Sequence, residues 1–210
     1  IWIGTNGGLF RLRQALFTTF TQSQGLSGNF IRTVLQAKNG SIFIGGSSGV
    51  DVFEKDQFSF LASPFPRPIS ALSLAQLNDD IVLVGTYTDG VLKHENGKLS
   101  PFLDRENGLP SNEVRALLVA SDNSIWFGTA QGLVRQKSNG ELVHFSESNG
   151  LPANFIMGLA EDTNGRIWVA TGIGLAYYEK GNIYTAAFPP DSDVGHAFSF
   201  FVTSKGTWMA

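Results

Sequence analysis

Cysteine is absent from all 210 residues. That excludes disulfides, thiolate nucleophiles and cysteine-ligated zinc. Charge is sparse at 16%, below the usual quarter or so. The formal net charge is −3 and no basic stripe occurs, so a nucleic-acid footprint is not expected. No apolar run approaches the roughly 18 residues of a membrane helix. No stretch keeps a 3.6-residue apolar period, so essentially no helix is expected. What is plentiful is glycine (24) and phenylalanine (17). Together with many β-branched residues they suit an all-β chain with tight turns.

One short segment recurs along the whole chain. It reads IWIGT at 1–5, IFIGG at 42–46, VLVGT at 82–86, IWFGT at 125–129, IWVAT at 167–171 and TWMA at 207–210. Its fourth place is always small: Gly4, Gly45, Gly85, Gly128, Ala170 and Ala210. The spacings are 41, 40, 43, 42 and 40 residues. A second segment precedes three of the copies: GLSGN at 25–29, GLPSN at 108–112 and GLPAN at 150–154. The stretches at 64–77 and 189–201 depart from the pattern.

Within one period, alternating segments and turns give four short antiparallel strands, A to D. Asn39-Gly40, Asn96-Gly97, Asn139-Gly140 and Asn164-Gly165 read as hairpin turns with both central residues at positive φ. Lys180-Gly181-Asn182 reads as another hairpin turn. The aromatic of strand B (Trp2, Phe43, Trp126, Trp168, Trp208) is expected between neighbouring sheets. Four strands per 40 to 45 residues is the period of a β-propeller blade. Residues 1–210 then form one run of propeller repeats with no second domain. The chain opens and closes on strand B, with four complete sets between an initial B-C-D and a final A-B. It reads as an arc of a larger ring, a closed five-blade ring being the alternative.

The string GLP-x-N, strand, Asn/Asp-Gly, IWIGT, x-x-GL resembles the two-component regulator propeller repeat. It is carried by Gly108 to Asn112 with Ile125 to Thr129 and Gly132-Leu133. It recurs at Gly150 to Asn154 with Ile167 to Thr171, and at Gly25 to Asn29 with Ile42 to Gly46. The resemblance implies propellers of about seven blades. It also implies the extracytoplasmic sensor region of an inner-membrane signalling protein, a hybrid histidine kinase or diguanylate cyclase, non-catalytic in itself. The partners expected are a small polar ligand, carbohydrate included, or a partner protein. Neighbouring blades or a β-sandwich domain of the same protein, and a homodimer formed through the full-length protein, complete the set. A WD-repeat-like scaffold, or a propeller lyase or hydrolase, are the alternatives.

Residues with chemistry are scattered. His94, His144 and His196 show no metal-ligand spacing and read as strand or surface histidines. Asp191-Ser192-Asp193 fails the calcium-loop template. Gly45 to Gly49 lacks the lysine of a phosphate cradle. Asp79-Asp80 and Glu161-Asp162 read as solvated turn charges. No cofactor or metal is expected. The better candidate is positional, because D-to-A and B-to-C loops share one end of every blade. This places Asn29, Arg32, Asn112, Arg115, Asn154 and Met157 on one rim, with Ser47, Ser48, Tyr87, Thr88, Asp89 and Gln131 from the B-to-C turns. Asn and Arg also recur with the repeat, so capping turns and tying blades is their competing role.

Overall fold

The repeat pattern dictates short paired strands, and the computed structural model consists of them; it describes residues 2–12, 17–186, 200–203 and 206–209. His196 and Asp191 to Asp193 lie outside the described residues. Of Trp208 only the backbone is described.

Two compact units divide the chain at residues 104 and 105. In the first, sheet 1 holds β1 (Trp2–Thr5), β2 (Gly8–Leu12) and β3 (Phe17–Phe20). Sheet 2 holds β4 (Ile31–Gln36), β5 (Ile42–Gly46), β6 (Gly49–Glu54) and β7 (Gln57–Leu61). Sheet 3 holds β8 (Ala71–Gln76), β9 (Val82–Thr86), β10 (Val91–Glu95) and β11 (Lys98–Leu103). In the second unit, sheet 4 holds β12 (Val114–Val119), β13 (Ile125–Thr129), β14 (Gly132–Gln136) and β15 (Leu142–Phe145). Sheet 5 holds β16 (Ile156–Glu161), β17 (Ile167–Thr171), β18 (Gly174–Glu179) and β19 (Asn182–Thr185). Sheet 6 is the pair β20 (Phe200–Thr203) and β21 (Gly206–Met209). Every pairing is antiparallel between sequence neighbours, the meander of a propeller blade. The expected four complete sets, B-C-D remnant and A-B pair are all present. Among the described residues, single 3-10 turns at Gln22–Gln24 and Glu147–Asn149 are the helical pieces.

The small fourth residue of strand B has a packing cause. A Cβ on Gly45 would lie 2.9 Å from the Ala71 Cβ of the next sheet. On Gly4 it would lie 2.7 Å from Ile31 Cγ2, and on Gly128 2.6 Å from Ile156 Cγ2. Within each unit, strand B of these sheets therefore touches strand A of the next at a distance that leaves no room for a side chain. The aromatics follow. Phe43 joins a core with Ile69, Val84 and Leu92, and Trp2 packs edge-on to Phe53 at 5.2 Å. Trp126, 1% exposed, meets Tyr178 of sheet 5 at 4.9 Å. Arg135 lies over both rings and donates to the Tyr178 hydroxyl at 2.7 Å.

Three Asn-Gly turns differ from the expected form. Both residues have positive φ at Asn96-Gly97, whereas at 39–40, 139–140 and 164–165 only the glycine does. These are three-residue loops, a type I turn closed by a left-handed glycine. The Gly40 N–H donates to the Ala37 carbonyl, and the Ala37 N–H to the Ser41 carbonyl. The same loop at 120–124 puts Asn123 in the left-handed place. The turn acids are not merely solvated. Glu161 accepts from the Ser121 N–H at 2.7 Å and from its hydroxyl, tying sheet 4 to sheet 5. Lys38 pairs with Asp79 at 3.1 Å, and its N–H donates to Gln76 Oε1 at 2.9 Å.

One buried carboxylate breaks the apolar pattern. Asp51 is 2% exposed where sheets 4 and 5 have Val134 and Ala176. It accepts from Ser27, from the N–H at 3.1 Å and the hydroxyl at 2.8 Å. Ser27 stands where the other repeats have Pro110 and Pro152, and proline has no N–H to give. Burial pushes the Asp51 carboxyl above its ordinary value, against the Ser27 bonds that pull it down.

Candidate functional site

The rim begins with the Gly-Leu-x-x-Asn segment. Gly25, Gly108 and Gly150 are left-handed, which a side chain would resist. Leu26, Leu109 and Leu151 are buried plugs. The asparagine side chains face their own loops. Asn29 Oδ1 accepts from the Gln22 N–H at 2.9 Å, Asn112 from Arg105 at 2.7 Å and Asn154 from Glu147 at 2.9 Å. Each thereby closes the D-to-A connection, and that is where its carbonyl is used.

Next comes a recurrent irregularity. The register of strand A against strand B slips between Ile31 and Thr33, Ala71 and Ser73, Val114 and Ala116, and Ile156 and Gly158. The extra residues are Arg32, Leu72, Arg115 and Met157. A bulge re-aims the side chain it carries. The residue before each strand A lends its carbonyl to the B-to-C turn. Phe30 accepts from Ser47, Ser70 from Tyr87, Glu113 from Ala130 and Phe155 from Gly172, at 2.9 to 3.2 Å. The threonine ending strand B closes the turn from the other side, as Thr129 Oγ1 does by donating to the Gly132 carbonyl at 2.8 Å.

In the first unit the exposed Arg32 lies over Phe30 with 4.9 Å to the ring centre and donates to the Ser70 hydroxyl. Ser47 and Ser48 sit on the adjacent turn, and Tyr87 stands 51% exposed. Thr88 donates to Asp89 at 3.0 Å. Asp89 is gripped by both terminal nitrogens of Arg67, and its N–H donates to Thr86. Asp89 thus anchors its turn to the segment before β8. In the second unit Arg115 pairs with Glu113 and lies over Phe155 at 4.7 Å. Gln131 donates its N–H to Thr129 Oγ1 at 3.1 Å. Met157 packs against Ala170 and Leu175. Ile173, 69% exposed, is the outermost apolar group of that unit's B-to-C turn.

Reading the sequence missed Phe30, Arg67, Ser70, Phe155 and Ile173. Phe30 and Phe155 share one repeat place, so that signal was available. Arg67 lies in the stretch where the repeat fails. His94 packs edge-on to Phe43 at 5.1 Å, with burial pushing it below its ordinary value. His144 lies on β15. Among the described residues no cluster of His, Asp or Glu could hold a metal ion. At the opposite end of sheets 1 and 2, where A-to-B and C-to-D turns lie, a cavity of about 370 Å³ is lined by Trp2, Arg11, Asn39, Phe53 and Asp56.

Residues 108–131 and 150–172 match the family model for the two component regulator propeller. Those two segments are similar to repeats of this family. Those two segments span the Gly-Leu-Pro loop, strands A and B and the B-to-C turn. The loop at 25–29 and the sheet after it repeat the arrangement in the first unit. No curated protein matches the chain. Among solved structures, the extracellular domain of a hybrid two component system from B. thetaiotaomicron aligns with 100% of the chain at 20% identity and TM-score 0.86, over 30% of its own length. A second such domain from the same organism aligns with 86% at 20% identity and TM-score 0.72, over 25% of its length. Virginiamycin B lyase from Staphylococcus aureus aligns with 100% at 12% identity and TM-score 0.76, over 73% of its length. At these identities the likeness is one of fold, that of β-propeller blades. The chain spans less than a third of the two B. thetaiotaomicron domains.

Proposed function

We propose that these propeller repeats belong to the extracytoplasmic sensor region of a two-component signalling protein, and that the rim formed by D-to-A and B-to-C loops receives the signal. The reading assigns no chemistry to the chain. Binding at the rim would change how it holds a neighbouring domain, and that change is the output. The supporting observation is the rim itself: in each unit a stacked arginine and half-exposed apolar groups stand on turns locked from below by Asn and Thr. Exposed apolar groups on a rigid scaffold are the composition of a recognition surface. The likeness to hybrid two component extracellular domains supports the sensor assignment, and the family match supports it independently. A small polar ligand or a loop of a partner protein would suit these groups.

The test is a thermal-shift screen of the chain against oligosaccharides and small polar metabolites. A ligand that raises Tm in the wild type and fails to do so after combined Phe30→Ala and Tyr87→Ala changes would support the rim. A shift unaffected by both changes would locate binding elsewhere and sink this reading.

A further inference from the structure

The two units carry the same arginine on the same bulge in different electrostatic settings. Arg115 is paired with Glu113. In the first unit the place of Glu113 is taken by Phe30, so Arg32 stands over a ring where Arg115 has an acid beside it. Arg32 makes no ion pair among the described residues, although Arg11, Arg67, Arg115, Arg135 and Arg166 all do. One guanidinium N–H donates to the Ser70 hydroxyl; its other donors have no partner among the described residues. The exposed Tyr87 ring follows directly, since its N–H donates to the Ser70 carbonyl. On the other side the Ser47 N–H donates to the Phe30 carbonyl.

We infer that this corner of the first unit is a carboxylate-binding site. Arg32 is the counter-charge, and the Phe30 and Tyr87 rings flank the carbon skeleton. The inference rests on the rim reading above and gives it a ligand class: a carboxylate-bearing small molecule with an apolar or ring-shaped body. A guanidinium stacked on a ring keeps its N–H edge free, and that edge matches the two oxygens of a carboxylate. Phe30 supplies the face that holds the guanidinium in plane. The second unit's corner lacks this property because Glu113 already occupies Arg115.

The probe is benzoate, with benzamide as the neutral isostere. Both are titrated into the ¹⁵N-labelled chain while the arginine Nε–H signals and the Ser47 and Tyr87 amides are followed. Benzoate is expected to give saturable shifts at Arg32, Ser47 and Tyr87 and none at Arg115, and benzamide to bind at least roughly tenfold more weakly. Arg32→Gln should weaken benzoate by roughly the same factor, and Arg115→Gln should leave it unchanged. Arg32 is exposed, so the variant folds, and an unchanged Tm verifies this. Equal responses to the two probes, or full binding by Arg32→Gln, would overturn the carboxylate assignment and leave the rim reading standing. If neither probe moves the corner, the carboxylate assignment also falls, and the screen described above decides the rim on its own.

Discussion

Sheets 2 and 5 are built on one repeat, yet they handle a carboxylate in opposite ways. In sheet 2 Asp51 is buried on strand C and, among the described residues, is held by Ser27. In sheet 5 Asp162 sits at the A-to-B turn. Burial there raises its carboxyl, but the Trp168 Nε1–H and the N–H groups of Arg166 and Asn164 more than offset it. The first acid is pushed above its ordinary value and the second below. What differs is the number of donors that the local chain can aim at the carboxylate. A turn supplies several N–H groups; a strand position facing the core supplies none of its own.

The joints between sheets give the largest way to break the comparison. In the second unit Trp126 is enclosed by Phe145, Tyr178 and Arg135, and Trp126→Ala should cost about 3–5 kcal/mol. Its counterpart Phe43, packed edge-on to His94, carries no such cage, so Phe43→Ala should cost less. Urea unfolding of both variants checks the order, and an equal loss would mean that the cage contributes nothing. Next in size is Gly128→Ala. The added Cβ meets Ile156 at 2.6 Å, and overpacking of this kind costs about 1–3 kcal/mol. Ala170 fills the same place in sheet 5 at 0% exposure, so the cost belongs to the neighbour and not to the strand. Unfolding midpoints near the wild type for Gly128→Ala would contradict that account.

The smallest effect concerns the two acids: its sign differs between them and its size depends on pH. The folded carboxyl of Asp51 lies above its unfolded value, so its ionised form disfavours folding. That penalty is absent below the unfolded pKa of about 3.9 and complete above the raised folded value. Asp51→Asn should therefore be at least as stable as wild type near neutrality, with the advantage fading as the pH falls. Asp162 is depressed, so its contribution is present above the unfolded pKa and lost as pH falls through the folded value. Asp162→Asn should be less stable near neutrality, and the gap should close in acid. Stability measured from pH 3 to 7 for both variants separates the cases; parallel curves would refute the contrast.

Much of this was legible in the residues. The period located every strand B, but the reason its fourth place is small, the close approach of the next sheet's strand A, is read only from the coordinates. The Gly-Leu-x-x-Asn segment marked the loop, while the direction of the asparagine side chain was not readable, because capping and display use the same amide. The turn form was misread at 39–40, 139–140 and 164–165 because Asn-Gly also closes three-residue loops, and pairing partners decide which. The grip of Arg67 on Asp89 was invisible, since Arg67 lies in the segment where the repeat offers no alignment. Arg32 and Arg115 look equivalent in the repeat because the place two before each varies freely, and only the Arg115–Glu113 pair in the structure separates Phe30 from Glu113 in effect.

The Ser27–Asp51 pair also constrains how this chain can change. A Ser27→Pro substitution would restore the loop found in the sibling repeats, but it would leave the carboxylate without either of its donors. Replacing Asp51 by valine first strands a serine hydroxyl instead, a milder intermediate. The two positions are therefore epistatic, with an order of replacement built in: the acid must leave before the proline can arrive. Repeats that duplicate and drift from a common ancestor would keep such pairs as a record of the path they took.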